Sequence, residues 1–198
     1  MKRLFIACMF LFAGYASNAQ GASEFTYQMS LPAGGEFGDF ISKATWVGFT
    51  YQGRKMLSDE QWSVGGSMSW FYMVDEKGIT TYERENVTVT GYVTTFTNIF
   101  PLLLTIQRDF QDPYGTVVPF ARIGLGGAWQ DQRLDTGTYE FKGDDLQFAL
   151  NGEIGVRLNA AGGRNGAIIA ATYHWMPGTD ELLNTNFFGV KVGFGGIH

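Results

Sequence analysis

The chain of 198 residues is 45% hydrophobic, 17% charged and 16% aromatic, with 27 glycines and a formal net charge of −5. So much apolar material excludes an intrinsically disordered chain. A charge content below the roughly 25% of ordinary soluble domains, with rings and glycine in excess, suits strands and turns better than helices, and the acidic balance argues against nucleic acid as a partner.

Lys2 and Arg3 precede the apolar stretch Leu4–Ala16, and Ser17-Asn18-Ala19 offers small residues at a cleavage position. That is the pattern of an export signal. Residues 1–19 are therefore expected to be removed, leaving residues 20–198 as one domain that starts at Gln20. The apolar stretch is shorter than the about 20 residues a membrane-spanning helix needs. A lipoprotein reading of Phe5-Ile6-Ala7-Cys8 fails, because almost no apolar run would precede the cleavage. Cys8 is the only cysteine, so the processed chain has no thiol for a disulfide, a metal site or a nucleophile. Loss of Lys2 and Arg3 leaves 12 basic against 19 acidic residues, a net charge of −7.

Beyond the signal the recurring feature is alternation at period two. Phe25, Tyr27, Met29 and Leu31 alternate with Glu24, Thr26, Gln28 and Ser30; Val47, Phe49 and Tyr51 alternate with Gly48, Thr50, Gln52 and Arg54. Trp62, Val64, Met68, Trp70 and Tyr72 oppose Ser63, Gly65, Ser67 and Ser69. The stretch from Tyr92 to Phe110 sets Leu102, Leu104 and Ile106 against Leu103, Thr105 and Gln107, and Pro101 within it is expected to mark a bulge or bend. Ile123, Leu125 and Trp129 oppose Arg122, Gly124 and Gly126. From Leu146 to Asn159 the parity is unbroken, with Leu146, Phe148, Leu150, Ile154, Val156 and Leu158 on one side and Gln147, Asn151, Glu153 and Arg157 on the other. Ile169, Ala171, Tyr173 and Trp175 then oppose Thr172 and His174, and Phe188, Val190, Val192 and Phe194 oppose Gly189, Lys191 and Gly193. No amphipathic helix keeps such parity; these are eight strands with opposite faces.

The connections alternate in length. Short ones fall at Leu57–Glu60, Gln111–Thr116 and Ala160–Asn165, and longer ones at Pro32–Ala44, Asp75–Gly91, Gln130–Asp144 and Pro177–Thr185. Strand extension across Ile79–Thr90 is the alternative for the second of the long ones. Short turns at one end and long loops at the other are expected of a transmembrane barrel. A soluble lipocalin-type barrel is the competitor. Against it stand the small residues of the polar faces, the acidic residues gathered in the loops, and the placement of the rings. Trp62, Trp70, Trp129 and Trp175 lie on the apolar face near strand ends, with Tyr72, Tyr92, Tyr173 and Phe188 at the long-loop side and Phe25, Tyr27 and Phe194 at the other. They sketch two aromatic girdles. Hydrocarbon offers the backbone no hydrogen-bond partner, so the first strand should pair with the last.

With its export signal, its alternating strands and the terminal run Phe187-Phe188-Gly189-Val190-Lys191-Val192-Gly193-Phe194, the chain resembles the small eight-stranded outer-membrane barrels of the OmpA/OmpX type. The resemblance spans nearly all of residues 20–198 and is one of pattern. It implies an all-β, antiparallel, up-and-down transmembrane barrel in a bacterial outer membrane, monomeric, in contact with outer-membrane lipid and lipopolysaccharide and inserted by the assembly machinery. The aromatic terminus by which many such proteins are recognised is displaced here, because Gly195-Gly196-Ile197-His198 follow Phe194.

Arg54, Arg122, Glu153, Arg157 and Lys191 fall on the inward face with Glu24, Gln28, Gln107 and Asn151, and hairpin counting sets Arg122 level with Glu153 as a pair. Such a network reads as a packed polar interior or as the constriction of a small-solute channel. His174-Trp175-Met176 lacks the following serine of outer-membrane lipid A deacylases, and His174 reads as a polar residue at the barrel mouth. The loop carboxylates read as a solvated acidic rim without calcium-loop spacing. No cofactor or catalytic residue is expected. The function expected is structural or surface-interactive, through four outward loops; a narrow passive channel is the second reading and a lipid-modifying enzyme a remote third. Within the Leu146–Asn159 strand, the inward Gly155→Ser should be accommodated if the lumen has room there.

Overall fold

Each strand pairs antiparallel with the next: β1 (Gly21–Pro32), β2 (Val47–Met56), β3 (Trp62–Arg84), β4 (Val87–Asp109), β5 (Val117–Asp135), β6 (Glu140–Asn159), β7 (Asn165–Met176) and β8 (Thr185–Ile197). A one-and-a-half-turn helix, α1 (Gly35–Phe40), follows β1. The computed structural model describes residues 21–84, 87–137, 139–160 and 164–198; the export signal expected over 1–19, Gln20, Glu85 and part of the Ala160–Asn165 turn lie outside them. No helix among the described residues is long and apolar enough to cross a membrane.

The ring closes through β1 and β8, where Phe25 stands opposite Phe194 and Gln28 opposite Lys191. Closure leaves no unpaired edge within the ring, the condition a strand must meet in hydrocarbon. Both described chain ends and the β2–β3, β4–β5 and β6–β7 turns lie at one end, the terminal end. The other, the hairpin end, carries the remaining four connections.

Side-chain parity produces the two surfaces. Phe194 (68% exposed), Ile154 (67%), Leu104 (62%) and Ile123 (57%) point outward, while Glu24, Gln107, Arg122, Glu153 and Lys191 are buried inside. An aromatic row crosses the outer wall from Tyr27 through Phe49, Trp70 and Phe100 to Trp129, with neighbouring ring centroids 5.5–6.3 Å apart. Tyr173 packs on Phe188 at 5.0 Å and Phe25 on Phe194 at 6.1 Å. Trp175 meets Phe148 at 6.5 Å, and Trp62 stands at the terminal end of β3. A wet exterior would not carry this band; acyl chains suit it.

Two expectations are corrected. The segments Asp75–Gly91 and Gln130–Asp144 are largely strand rather than loop: β3 and β4 stay paired up to Arg84–Val87, so that the alternative of extended strands holds over the described residues of Ile79–Thr90, and β5 and β6 stay paired up to Asp135–Glu140. β2 leaves β3 at Val47–Tyr72, so part of β3–β6 rises above the ring as a twisted four-stranded sheet. Above an apolar wall both faces of a hairpin can meet water, and the alternation that reveals a strand is no longer required. Only residues 33–46 and 177–184 remain as long connections at the hairpin end. Pro101 makes no bulge either; it keeps register opposite Ala128, and the β3 register is the same at Met68–Leu102 and Phe71–Ile99. The register shift lies at Glu76/Gly78, where Gly78 adopts φ +70°, a conformation natural to glycine at a bulge.

Candidate functional site

A chain of buried charges crosses the lumen and runs down to its terminal end, where Asp109 closes β4. Arg122 on β5 donates from Nη1 to Glu153 Oε1 at 2.8 Å and from Nη2 to Glu24 Oε2 at 2.7 Å. Arg122 and Glu153 are register partners on β5 and β6. Glu24 also accepts from Arg54 of β2, and Glu153 Oε2 accepts from Lys191 Nζ at 2.8 Å. Arg122 Nε donates to Gln107 Oε1 at 2.9 Å, and Gln107 Nε2 donates to Asp109 Oδ1 at 2.6 Å. Asp109 Oδ2 then accepts from Arg157 Nη2 at 3.2 Å, and the same nitrogen donates to Pro113 O at 3.1 Å. All five expected lumen residues, Arg54, Arg122, Glu153, Arg157 and Lys191, thus join one network through Glu24, Gln107 and Asp109.

The span of these contacts decides what the lumen can do. In a ring of eight, β1 faces β5 and β3 faces β7. The Arg122–Glu24 bridge joins the first facing pair, and the Phe71–His174 ring contact at 5.0 Å joins the second. Opposite walls therefore touch through their side chains, as an eight-stranded barrel is just narrow enough to allow. Four cations meet three carboxylates here, each carboxylate holding at least one cation. A buried charge survives only with such partners.

Apolar clusters lie beyond the charges on both sides. At the hairpin end, Phe37 and Ile41 from the β1–β2 connection bury completely against a cluster that includes Phe71, Met73, Ile99, Met176 and Phe187. The connection is fastened by Asp75 on the rising part of β3. Asp75 Oδ2 accepts from the Ser42 amide at 2.8 Å and the Ser42 hydroxyl at 2.6 Å, while Lys43 Nζ lies 2.9 Å from Oδ1. Thr95 donates its hydroxyl to Phe40 O at 2.6 Å, and Lys77 donates to Asp39 O. Burial opposes ionisation of Asp75, but the two Ser42 bonds and Lys43 outweigh it and hold the carboxyl below its ordinary 3.8. At the terminal end the β4–β5 turn reaches across the opening, and Tyr114 packs on Ala22, Met56 and Ile197 of β1, β2 and β8. Asn159 Nδ2 secures that turn, donating to Pro113 O at 2.9 Å and Gly115 O at 2.8 Å.

His174 is not at an open mouth. It is 3% exposed, stacked on Phe187 at 4.6 Å below α1, and its Nε2 lies 3.2 Å from Asn151 Nδ2. Nor is there room at Gly155, where an added Cβ would come within 2.6 Å of Ala170 Cβ, 2.7 Å of Ile169 O and 2.8 Å of Phe120 Cζ. Among the described residues no three His, Cys, Asp or Glu side chains gather as metal ligands would. Asp109 went unnoticed in the sequence, although its parity, two positions beyond Gln107 on β4, was a sufficient signal. The inward-turned Phe37 and Ile41 had none, since six helical residues carry no periodic pattern.

No family model and no curated protein matches the sequence. Among solved structures the chain is similar to Neisserial surface protein A, at 11% identity over 89% of this chain and 95% of that one, with a TM-score of 0.50. It is similar also to Ail, the attachment invasion locus protein of Yersinia pestis (11% identity, 90% and 97% covered, TM-score 0.47). A third is the N-terminal β-barrel domain of Pseudomonas aeruginosa OprF (15%, 90% and 99%, 0.43). The chain has the fold of the small outer-membrane barrels of the OmpA/OmpX type: all-β, eight antiparallel strands, up-and-down, closed.

Proposed function

We propose that the protein is a monomeric outer-membrane barrel with a closed lumen, whose work is structural and surface-interactive. The apolar wall holds it among outer-membrane lipid and lipopolysaccharide, where the assembly machinery would place it after export. The terminal end faces the periplasm, and the hairpin end carries the rising β3–β6 sheet, α1 and the 177–184 connection outward as the contact surface. Neisserial surface protein A, which shares the fold, is by its name a surface protein, and the same placement is proposed here. Within the ring no edge is left to pair with a second copy, which favours the monomer in the membrane; edges remain only on the rising sheet, along β3 beyond Tyr72 and β6 before Leu150.

The observation that carries this reading is the pair of contacts between facing strands, Glu24–Arg122 and Phe71–His174, with apolar clusters on either side. They weigh against the passive channel. The burial of His174 against Phe187 and Asn151 weighs against hydrolytic work on lipid, since a general base must reach its substrate. The test is conductance. Purified protein in planar bilayers gives no steady current under this reading; discrete openings, altered by Glu153→Gln, would establish the channel in its place.

A further inference from the structure

At the terminal end of the outer wall, Arg108 stands between two rings. Its guanidinium carbon is 5.3 Å from the Trp62 ring centroid and 5.8 Å from that of Phe110. Trp62 is its register partner on β3, and Phe110 follows two positions on as β4 enters its turn. The parity of β4 turns Arg108 outward, on the face that carries Leu104 and Ile106, and it is exposed. Lys55 of β2 is exposed one register step further up, opposite Val64, which itself pairs with Ile106. Neither cation forms a salt bridge among the described residues, whereas in the lumen every arginine and lysine named above holds a carboxylate. Asp109, next in the chain, turns into the lumen onto Gln107 and Arg157, and the other nearby carboxylates, Asp59, Glu60 and Asp112, sit in the turns beyond the strand ends, where Asp112 Oδ1 accepts from the Tyr114 amide.

We propose that Arg108, flanked by Trp62 and Phe110 and assisted by Lys55, binds the phosphate of an anionic glycerophospholipid in the leaflet at the terminal end. The chemistry is direct. Two rings fix the plane of a guanidinium whose fork of N–H donors matches two phosphate oxygens, and an exposed charge beside an apolar wall lies at the depth where headgroups begin. Aromatic rings at that depth seat the glycerol and upper acyl region. Lys55 supplies the second positive charge that favours an anionic over a zwitterionic headgroup. This site rests on the membrane-barrel reading above.

Native mass spectrometry of the detergent-solubilised protein, titrated with phosphatidylglycerol or phosphatidylcholine, tests the site. Phosphatidylglycerol is retained preferentially by the wild type, and Arg108→Ala lowers that retention about tenfold, the loss of one charge-assisted phosphate contact. Arg108→Lys falls between, because it keeps the charge without the planar fork. Equal retention of the two lipids by the wild type, or undiminished phosphatidylglycerol on Arg108→Ala, overturns the proposal. Displacement by millimolar inorganic phosphate would mean a bare anion site and would overturn it too. Each variant is first shown to be folded by heat-dependent gel mobility. A folded protein in micelles without lipid preference removes the site alone; a wild-type monomer that stays dissolved without detergent removes the barrel reading beneath it.

Discussion

Arg122 makes more contacts than any other lumen side chain described, yet replacing Glu24 should cost more. In Glu24→Gln the Arg54 guanidinium loses the one carboxylate it bonds among the described residues, and the four lumen cations face two carboxylates. Breaking one partner out of a buried pair costs about 3–5 kcal/mol, because the other charge is left uncompensated. In Arg122→Met, Glu24 keeps Arg54 and Glu153 keeps Lys191, so three cations remain on three carboxylates. What is lost is chiefly the donor to Gln107 and one of two bonds at each carboxylate, about 1–2 kcal/mol in all. The two variants, refolded into lipid vesicles and unfolded in urea with tryptophan emission as the signal, should differ by about 2 kcal/mol, with Glu24→Gln the less stable. Equal stabilities, or Arg122→Met the weaker, would refute the principle that charge balance rather than bond number governs this lumen.

Ile154→Arg puts a charge on the lipid face and should destabilise the refolded barrel by about 2–4 kcal/mol in the same urea titration. Gly155→Ser, one position along, should cost about 1–3 kcal/mol by overpacking against Ala170 and Phe120; a neutral result would show that the wall yields there. Because the folded Asp75 carboxyl titrates below its ordinary 3.8, its hold on the β1–β2 connection is fully present above that value and is lost as pH falls through the lowered pKa. The Ser42 amide resonance should shift over that acid range, and Asp75→Asn should abolish the shift.

How much of this was legible in the sequence depended on what surrounds each residue. Where one strand face meets lipid and the other the lumen, parity alone placed Phe194, Ile154 and Trp129 outside and Lys191, Glu153 and Arg122 inside. The Arg122–Glu153 partnership followed because adjacent strands joined by a short turn have countable register. Contacts across the ring were not countable. Glu24 and Arg122 lie 98 positions apart, and only the closed barrel brings them together. At the tip of the β3–β4 hairpin a long loop and strands extended across Ile79–Thr90 are not distinguishable from sequence, because a strand wet on both faces has no alternation to display. Pro101 suggested a bulge, but its missing N–H fell where the β3 ladder could lapse without a shift of register. The plugging of the hairpin end by Phe37 and Ile41 is a tertiary choice, set by an apolar patch of Phe71, Met73 and Phe187 that no local pattern reveals.

The measurement closest to the central claim is quenching of tryptophan emission in vesicles whose acyl chains carry bromine. Trp70 and Trp129 stand on the outer wall, so the refolded protein should lose much of its emission relative to unlabelled vesicles. Unquenched emission from folded protein, with the chain recovered as a monomer in buffer alone, would contradict the claim that the apolar wall faces lipid.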